Sequence, residues 1–255
     1  MRSLTHPARS MRGRVPRIGG TLVVGHFATA LVARQQAPHG PFAFYLAISQ
    51  FPDMLWHAFH FLGIEPTLPA NPMMASLDNM QAEMTYSHDL LPTLGWIVLV
   101  VLMGRGLFGS WRSGLTGGAL VVVHMFCDAI SGHTHYIFGP DSAAIGLGLY
   151  ATAPYLALAI EGVFTLAVMA WVFRTDARAG VRRSRATLMV WVAVFAGGLM
   201  AMFPSADLSL VEMTGMAPIE ALSGTLVPGL IAMYLTMFAA LIWADARPTT
   251  RIADA

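Results

Sequence analysis

What most constrains this chain is a series of six long apolar stretches, at roughly 42–63, 86–104, 114–131, 151–173, 187–204 and 225–244. A helix that crosses bilayer hydrocarbon needs about 20 predominantly apolar residues. Bare loops and open sheets cannot cross lipid, because every backbone N–H and C=O there must be bonded internally, so the stretches should be helices. Charge agrees with this. Only 11% of the 255 residues are charged, against about 25% in ordinary soluble domains. So few charges cannot coat a water-facing surface of this size. The expected fold class is all-α: a polytopic transmembrane helix bundle with six strong spans plus a short N-terminal re-entrant or seventh helix at 18–33. The lipid bilayer is then its first partner.

The basic residues test the assignment. All of them are Arg, in a composition typical of a GC-rich bacterial genome. Arg34 precedes the first span, Arg105 and Arg112 separate the second and third, Arg174 to Arg185 the fourth and fifth, and Arg247 and Arg251 follow the last. The loops 64–85, 132–150 and 205–224 contain no Arg and carry Glu65, Asp78, Glu83, Asp141, Asp207, Glu212 and Glu220. Arg-bearing and Arg-free loops alternate without exception across six spans. The positive-inside rule puts the Arg loops and the C-terminus in the cytoplasm. Residues 1–17 form an Arg-rich tail. It resembles the start of a signal peptide, but no small-x-small cleavage site follows, and we read it as uncleaved. The segment 18–33 either re-enters with a cytoplasmic tail or crosses and leaves the tail outside; its shortness favours the first. A net charge of +1 and the lack of a basic patch imply no nucleic-acid partner. One cysteine, Cys127, can form neither an internal disulfide nor a thiolate metal site alone. Oligomeric state is not legible.

Ionisable groups inside spans are costly, usually face the bundle interior and mark function. This chain has His26, Asp53, His57, His60, His88, Asp89, His124, Asp128 and Glu161 at such positions. His124 and Asp128 are four apart, so a helix puts them on one face. They can ligate one metal, the Asp can orient the His, or the pair can simply glue two helices. Asp53 follows Pro52, which should kink the span and turn the carboxylate into a cavity. No Arg lies at its depth, which favours a metal or proton role. His57 shares its face, and His60 lies toward the outer boundary. His88 and Asp89 point about 100° apart, so at most one faces a site; Asp89 can instead serve the helix N-terminus. His133 and His135 either cap the site from the loop or belong to the surface. With the Arg loops inside, Asp53, His124 and Glu161 fall near mid-depth, Asp128 nearer the outer face and His88 near that boundary. Scattered core histidines would not agree in depth this way.

Several of these residues sit in an ordered set of motifs. Gly25-His26-Phe27-Ala28, Gln50-Phe51-Pro52-Asp53, Tyr86-Ser87-His88-Asp89-Leu90, His124 with Asp128, and Gly146-Leu147-Gly148-Leu149-Tyr150 ahead of Glu161 follow one another along residues 22–173. This order resembles the YdjM-type membrane proteins, a family described as inner-membrane metal-dependent hydrolases. The resemblance implies a YdjM-like membrane domain at 18–173, with 174–255 supplying two further helices and a short tail. It also implies a bacterial inner-membrane location. Leu55 stands where the family has a second Asp, Glu83 where many members have a His, and Asp89 where the usual residue is Ser.

The expectation that follows is a membrane-embedded hydrolase with a divalent metal held by His26, Asp53, His88, His124 and Asp128, not all of them direct ligands. Mixed imidazole and carboxylate donors suit zinc first, with manganese or iron as alternatives. A catalytic site keeps one position for water, whose proton Glu161 or Glu83 would accept. The substrate would be a lipid-linked or other amphipathic ester or phosphoester. Two rival readings use the same residues: a proton- or cation-coupled transporter, and a non-enzymatic membrane protein with a structural metal site.

Overall fold

A computed structural model describes residues 23–132 and 134–251. The Arg-rich tail, the first part of the 18–33 segment and His133 lie outside the described residues. The described residues are mainly helical, with three two-stranded ribbons among them. Among the described residues, five helices are long and apolar enough to cross a membrane: α4 (Leu90–Phe108), α5 (Trp111–Ser131), α7 (Pro154–Arg178), the continuous run Arg185–Met202 and α11 (Leu226–Asp245). The run Arg185–Met202 comprises α8 (Arg185–Val192), a π turn (Ala193–Gly197) and α9 (Gly198–Met202). Shorter helices are α1 (Val23–Gln36), α2 (Phe42–Ser49), α3 (Phe51–Phe61), α6 (Leu149–Thr152) and α10 (Leu210–Thr214).

The expected single span at 42–63 is corrected. It is two helices, α2 and α3, of 8 and 11 residues, meeting at Gln50, whose φ of −112° and ψ of 13° leave the helical range. At 1.5 Å per residue each rises only about 12 to 17 Å, short of the roughly 30 Å of hydrocarbon. The physical reason is Pro52. It lacks the N–H that would continue the ladder and sits in the first turn of α3, where that donor is not needed. The kink expected at Pro52 is therefore a full interruption.

α1 is the axle. Val24, Phe27, Ala28, Ala30, Leu31 and Ala33 are all buried, as expected of a helix that is apolar on every side. It packs against α2, α5 and α7. Small residues set the spacing: a β-carbon on Gly25 would stand 3.0 Å from the Phe164 ring. The α4–α5 hairpin closes still more tightly, with a β-carbon on Gly104 only 2.7 Å from Gly114 Cα. Gly109 turns the chain at a φ of 65°, and the Ser110 side chain accepts from Ser113 N–H to start α5. Leu94, Val98 and Leu102 of α4 are more than half exposed, a face suited to lipid.

The alternation of charge becomes two ends of the bundle. Loop 64–85 bonds loop 205–224 through Leu77 N–H to the Ser205 carbonyl and Asp78 N–H to the Ala206 carbonyl. Loop 132–150 joins them at α4, where Leu91 N–H donates to the Ile137 carbonyl. At the opposite end β5 (Val181–Arg182) pairs antiparallel with β6 (Thr250–Arg251), and Arg34 faces Asp245 at 3.7 Å. The Arg-free loops thus gather at one end and Arg-bearing segments at the other.

Candidate metal centre

Four pieces of chain meet between these ends. His26 lies in the first turn of α1 and Asp53 in the first turn of α3. His88 ends the loop that leads into α4, and His124 and Asp128 share one face of α5. All five residues are buried, none more than 1% exposed. Interrupting the helix at Gln50 is what brings Asp53 here. Non-helical backbone at membrane depth is tolerated only where protein surrounds it, and here the broken ladder leaves the Ser49 carbonyl to accept from His124 Nδ1 at 2.8 Å.

The inward-facing atoms crowd together. His124 Nε2 lies 3.2 Å from Asp128 Oδ2 and 3.8 Å from Asp53 Oδ1. His88 Nε2 lies 3.3 Å from Asp53 Oδ1 and 3.7 Å from Asp128 Oδ2, and His26 Nε2 3.6 Å from Asp128 Oδ1. Among the described residues, every ion-pair partner of both carboxylates is a histidine. Two overlapping trios, His26–His124–Asp128 and Asp53–His88–His124, each bring one donor atom per residue within 4.8 Å of the others. Two donors held about 2.0–2.1 Å from a tetrahedral cation stand about 3.3–3.4 Å apart. The observed separations of 3.2 to 3.8 Å bracket that value, and most exceed the usual limit of about 3.2 Å for an N–H···O bond.

Satisfaction of the same groups is one-sided. Nε2 of His26, His88 and His124, Oδ1 of Asp53 and both oxygens of Asp128 have no hydrogen-bond partner. The far sides of His124, His88 and Asp53 are held, whereas His26 Nδ1 has no hydrogen-bond partner either. Because the Ser49 carbonyl can only accept, His124 donates from Nδ1 and turns Nε2 inward. His88 Nδ1 meets Ser87 Oγ at 2.7 Å, and Asp53 Oδ2 accepts from the Tyr234 hydroxyl at 2.7 Å. Outer partners that fix tautomer and orientation typically accompany metal ligands. Lone pairs facing one another in a buried space are repulsive unless a metal ion, or a proton between imidazole and carboxylate, lies among them.

A further layer supports His88. Buried Glu65 accepts from Tyr86 N–H at 2.6 Å and Ser87 N–H at 2.9 Å, fixing the turn that presents the imidazole. Burial pushes the Glu65 carboxyl above its usual range. Asp89 stands at the N-cap of α4, but its side chain bonds none of the helix's first N–H groups. Its oxygens accept from Tyr136 N–H at 2.9 Å and Gly139 N–H at 2.5 Å, tying down the ribbon of β3 (His135–Tyr136) and β4 (Ala144–Ile145). That ribbon stacks His135 on His88, ring centres 5.4 Å apart and 9° from parallel. Burial, then the neighbouring His88, lowers His135 to about 3, so its ring is neutral.

The other candidates are placed differently. Glu161 is buried, but Oε1 accepts from Val24 N–H at 2.7 Å and Gly25 N–H at 3.1 Å, and Oε2 from the Tyr150 hydroxyl at 2.9 Å. It holds the start of α1, as negative charge does at a helix N-terminus, and both its oxygens are committed. Glu83 is exposed and lines a cavity of about 200 Å³ beside Asp89 and His135. His57 packs its ring on Trp56 and Tyr234, and His60 is only half-buried. Tyr234, Glu65 and Ser87 escaped sequence reasoning. For Tyr234 a signal existed, because a hydroxyl in the middle of an apolar helix requires a partner. Nothing in its local sequence distinguished Glu65 from other loop carboxylates. No family model, curated protein or solved structure matches the chain.

Proposed function

We propose that this chain is a multi-pass membrane protein that holds one divalent cation among His26, Asp53, His88, His124 and Asp128, and that it is a metal-dependent hydrolase. The observation that carries this reading is the set of unpartnered lone pairs converging from four segments. Three imidazoles and two carboxylates suit zinc before manganese or iron. Bound there, the cation would make a water molecule acidic enough to attack an ester or phosphoester at neutral pH. The Ser49 carbonyl and Ser87 orient His124 and His88, and the Tyr234 hydroxyl leaves Asp53 Oδ1 for the cation. Asp128, with neither oxygen hydrogen-bonded, is the nearest proton acceptor in this scheme; Glu161 is occupied at α1 and Glu83 lies at the surface. The likeness of the ordered motifs to YdjM-type proteins supports the same activity. It also supports a bacterial inner membrane, with the Arg-bearing end in the cytoplasm.

A structural cation site is the second reading, favoured by exposure of no more than 1% at every one of the five residues. Elemental analysis of the detergent-purified protein tests the site itself. Wild type should carry zinc or a related metal, while His124→Ala and Asp53→Asn should lose affinity more than about 100-fold, since outer partners alone are worth 10–100-fold. Equal metal content in all three would end both readings. Chelator-sensitive cleavage of a lipid ester by wild type separates hydrolase from structural site.

A further inference from the structure

We infer that the groove between the α8–α9 run and α11 takes an acyl chain of a bilayer lipid and that the ester linkage of such a lipid is what reaches the metal centre. The second half of this statement rests on the hydrolase reading; the first does not. The groove measures about 600 Å³. Val194 and Met202 stand on one wall, Leu230 and Met237 on the other, with Trp56 and Tyr234 toward the interior. Both walls belong to helices long and apolar enough to cross a membrane, so the mouth faces hydrocarbon wherever the helices do.

The local sequence makes this gap. The π turn at Ala193–Gly197 displaces the helix, as such turns commonly do at functional sites. At Gly198 the helix presses on α1, where a β-carbon would meet Val24 at 3.0 Å. Small side chains at Ala193 and Ala201 then leave the space toward α11 unfilled. The groove has little to offer a polar ligand. Of its hydroxyls, Ser76 already donates to Asp78, Thr236 to the Ala232 carbonyl and Tyr234 to Asp53, which leaves Ser205 at the loop end. An unbranched hydrocarbon chain needs no polar partner and suits such a lining.

Direction comes from the inner end. Tyr234 lines the groove and donates its hydroxyl to Asp53 Oδ2 at 2.7 Å. Tyr234 thus links the groove to a carboxylate of the proposed centre.

The test uses the full chain in phosphatidylcholine nanodiscs containing a phosphatidylcholine with a photoactivatable diazirine in mid-chain. Adducts are mapped by peptide mass spectrometry. Groove residues such as Leu230 and Met237 should label above the lipid-facing residues Leu94 and Val98 of α4. Ala201→Trp, which fills the groove, should cut groove labelling about tenfold or more and leave α4 labelling unchanged. Ala193→Phe serves as an independent filling variant, and gel filtration checks that each folds. Groove labelling no higher than that of α4, indifference to both fillers, or protection of the groove by a cross-linkable second copy would overturn the proposal. Running the assay with and without chelator keeps the two readings apart. Adducts that persist without metal support the groove even if hydrolysis fails, and metal binding without adducts leaves the centre standing and removes the groove.

Discussion

Two buried carboxylate sites at different heights of the bundle show how differently one chain can treat the same chemistry. At the Arg-bearing end, Asp176 accepts from Gln35 Nε2 at 2.9 Å and from Arg183 Nη2 at 3.0 Å on one oxygen, and from Arg183 Nε at 2.7 Å on the other. In the centre, Asp128 faces three imidazoles and accepts no hydrogen bond at all. Glu161, close by in the fold, is satisfied as completely as Asp176, by two backbone donors and a tyrosine. This protein therefore can close the hydrogen bonds of a buried acid. Among the described carboxylates, Asp128 leaves both oxygens open, and they face the same histidines as the open oxygen of Asp53, which makes the space between them a candidate seat for a cation.

The contrast can be broken in three ways beyond metal analysis. The largest expected effect is at the satisfied site. Asp176→Ala leaves the Arg183 guanidinium without its carboxylate, and losing one member of such a pair costs about 3–5 kcal/mol when fully buried. Arg183 is 17% exposed, so about 2–3 kcal/mol is expected in thermal or denaturant unfolding after discounting for solvent. Metal content should not move. Loss of metal in that variant would mean that the two sites are not separate devices. The next effect is at Tyr234→Phe, which removes only the hydroxyl on Asp53. Metal affinity should fall about tenfold, read by competition with a chromogenic chelator, with the fold intact; an unchanged affinity would remove Tyr234 from the centre.

The smallest concerns Glu65. Its carboxyl is held above the normal range by burial, so the folded protein prefers it protonated. That contribution is complete below the ordinary value of about 4.3 and fades as pH rises through the raised value. Wild type should thus lose some stability between mildly acidic and neutral pH. Glu65→Gln, which keeps an acceptor oxygen for Tyr86 and Ser87, should show a flatter profile; parallel melting curves would show that the Glu65 proton has no such part.

How much of this was readable from residues alone follows from what periodicity and charge can report. Spans α4, α5, α7 and α11 were visible because each is a single uninterrupted apolar run. The alternation of Arg was visible because it needs no geometry. The 42–63 stretch was misjudged as one span because hydropathy does not register where a ladder breaks. Pro52 signalled a disturbance, but not that the chain would restart as a new helix. Convergence of His26, Asp53, His88, His124 and Asp128 was expected from shared depth, an argument available because charges are so rare in the spans. The assignment of Glu161 to proton transfer failed to foresee a nearer use. A helix beginning inside the bundle, as the described part of α1 does, needs an acceptor for its first N–H groups. Tyr234 and Glu65 lie 181 and 21 residues from the groups they hold, and no local pattern carries such a pairing.

The reach of that tyrosine has a consequence for how the molecule is made. All five side chains of the candidate centre have been synthesised once α5 is complete, whereas the hydroxyl that holds Asp53 comes only with α11. A nascent chain can therefore gather its donors early yet keep one carboxylate unlatched until α11 is made, so that this later helix acts as the bolt.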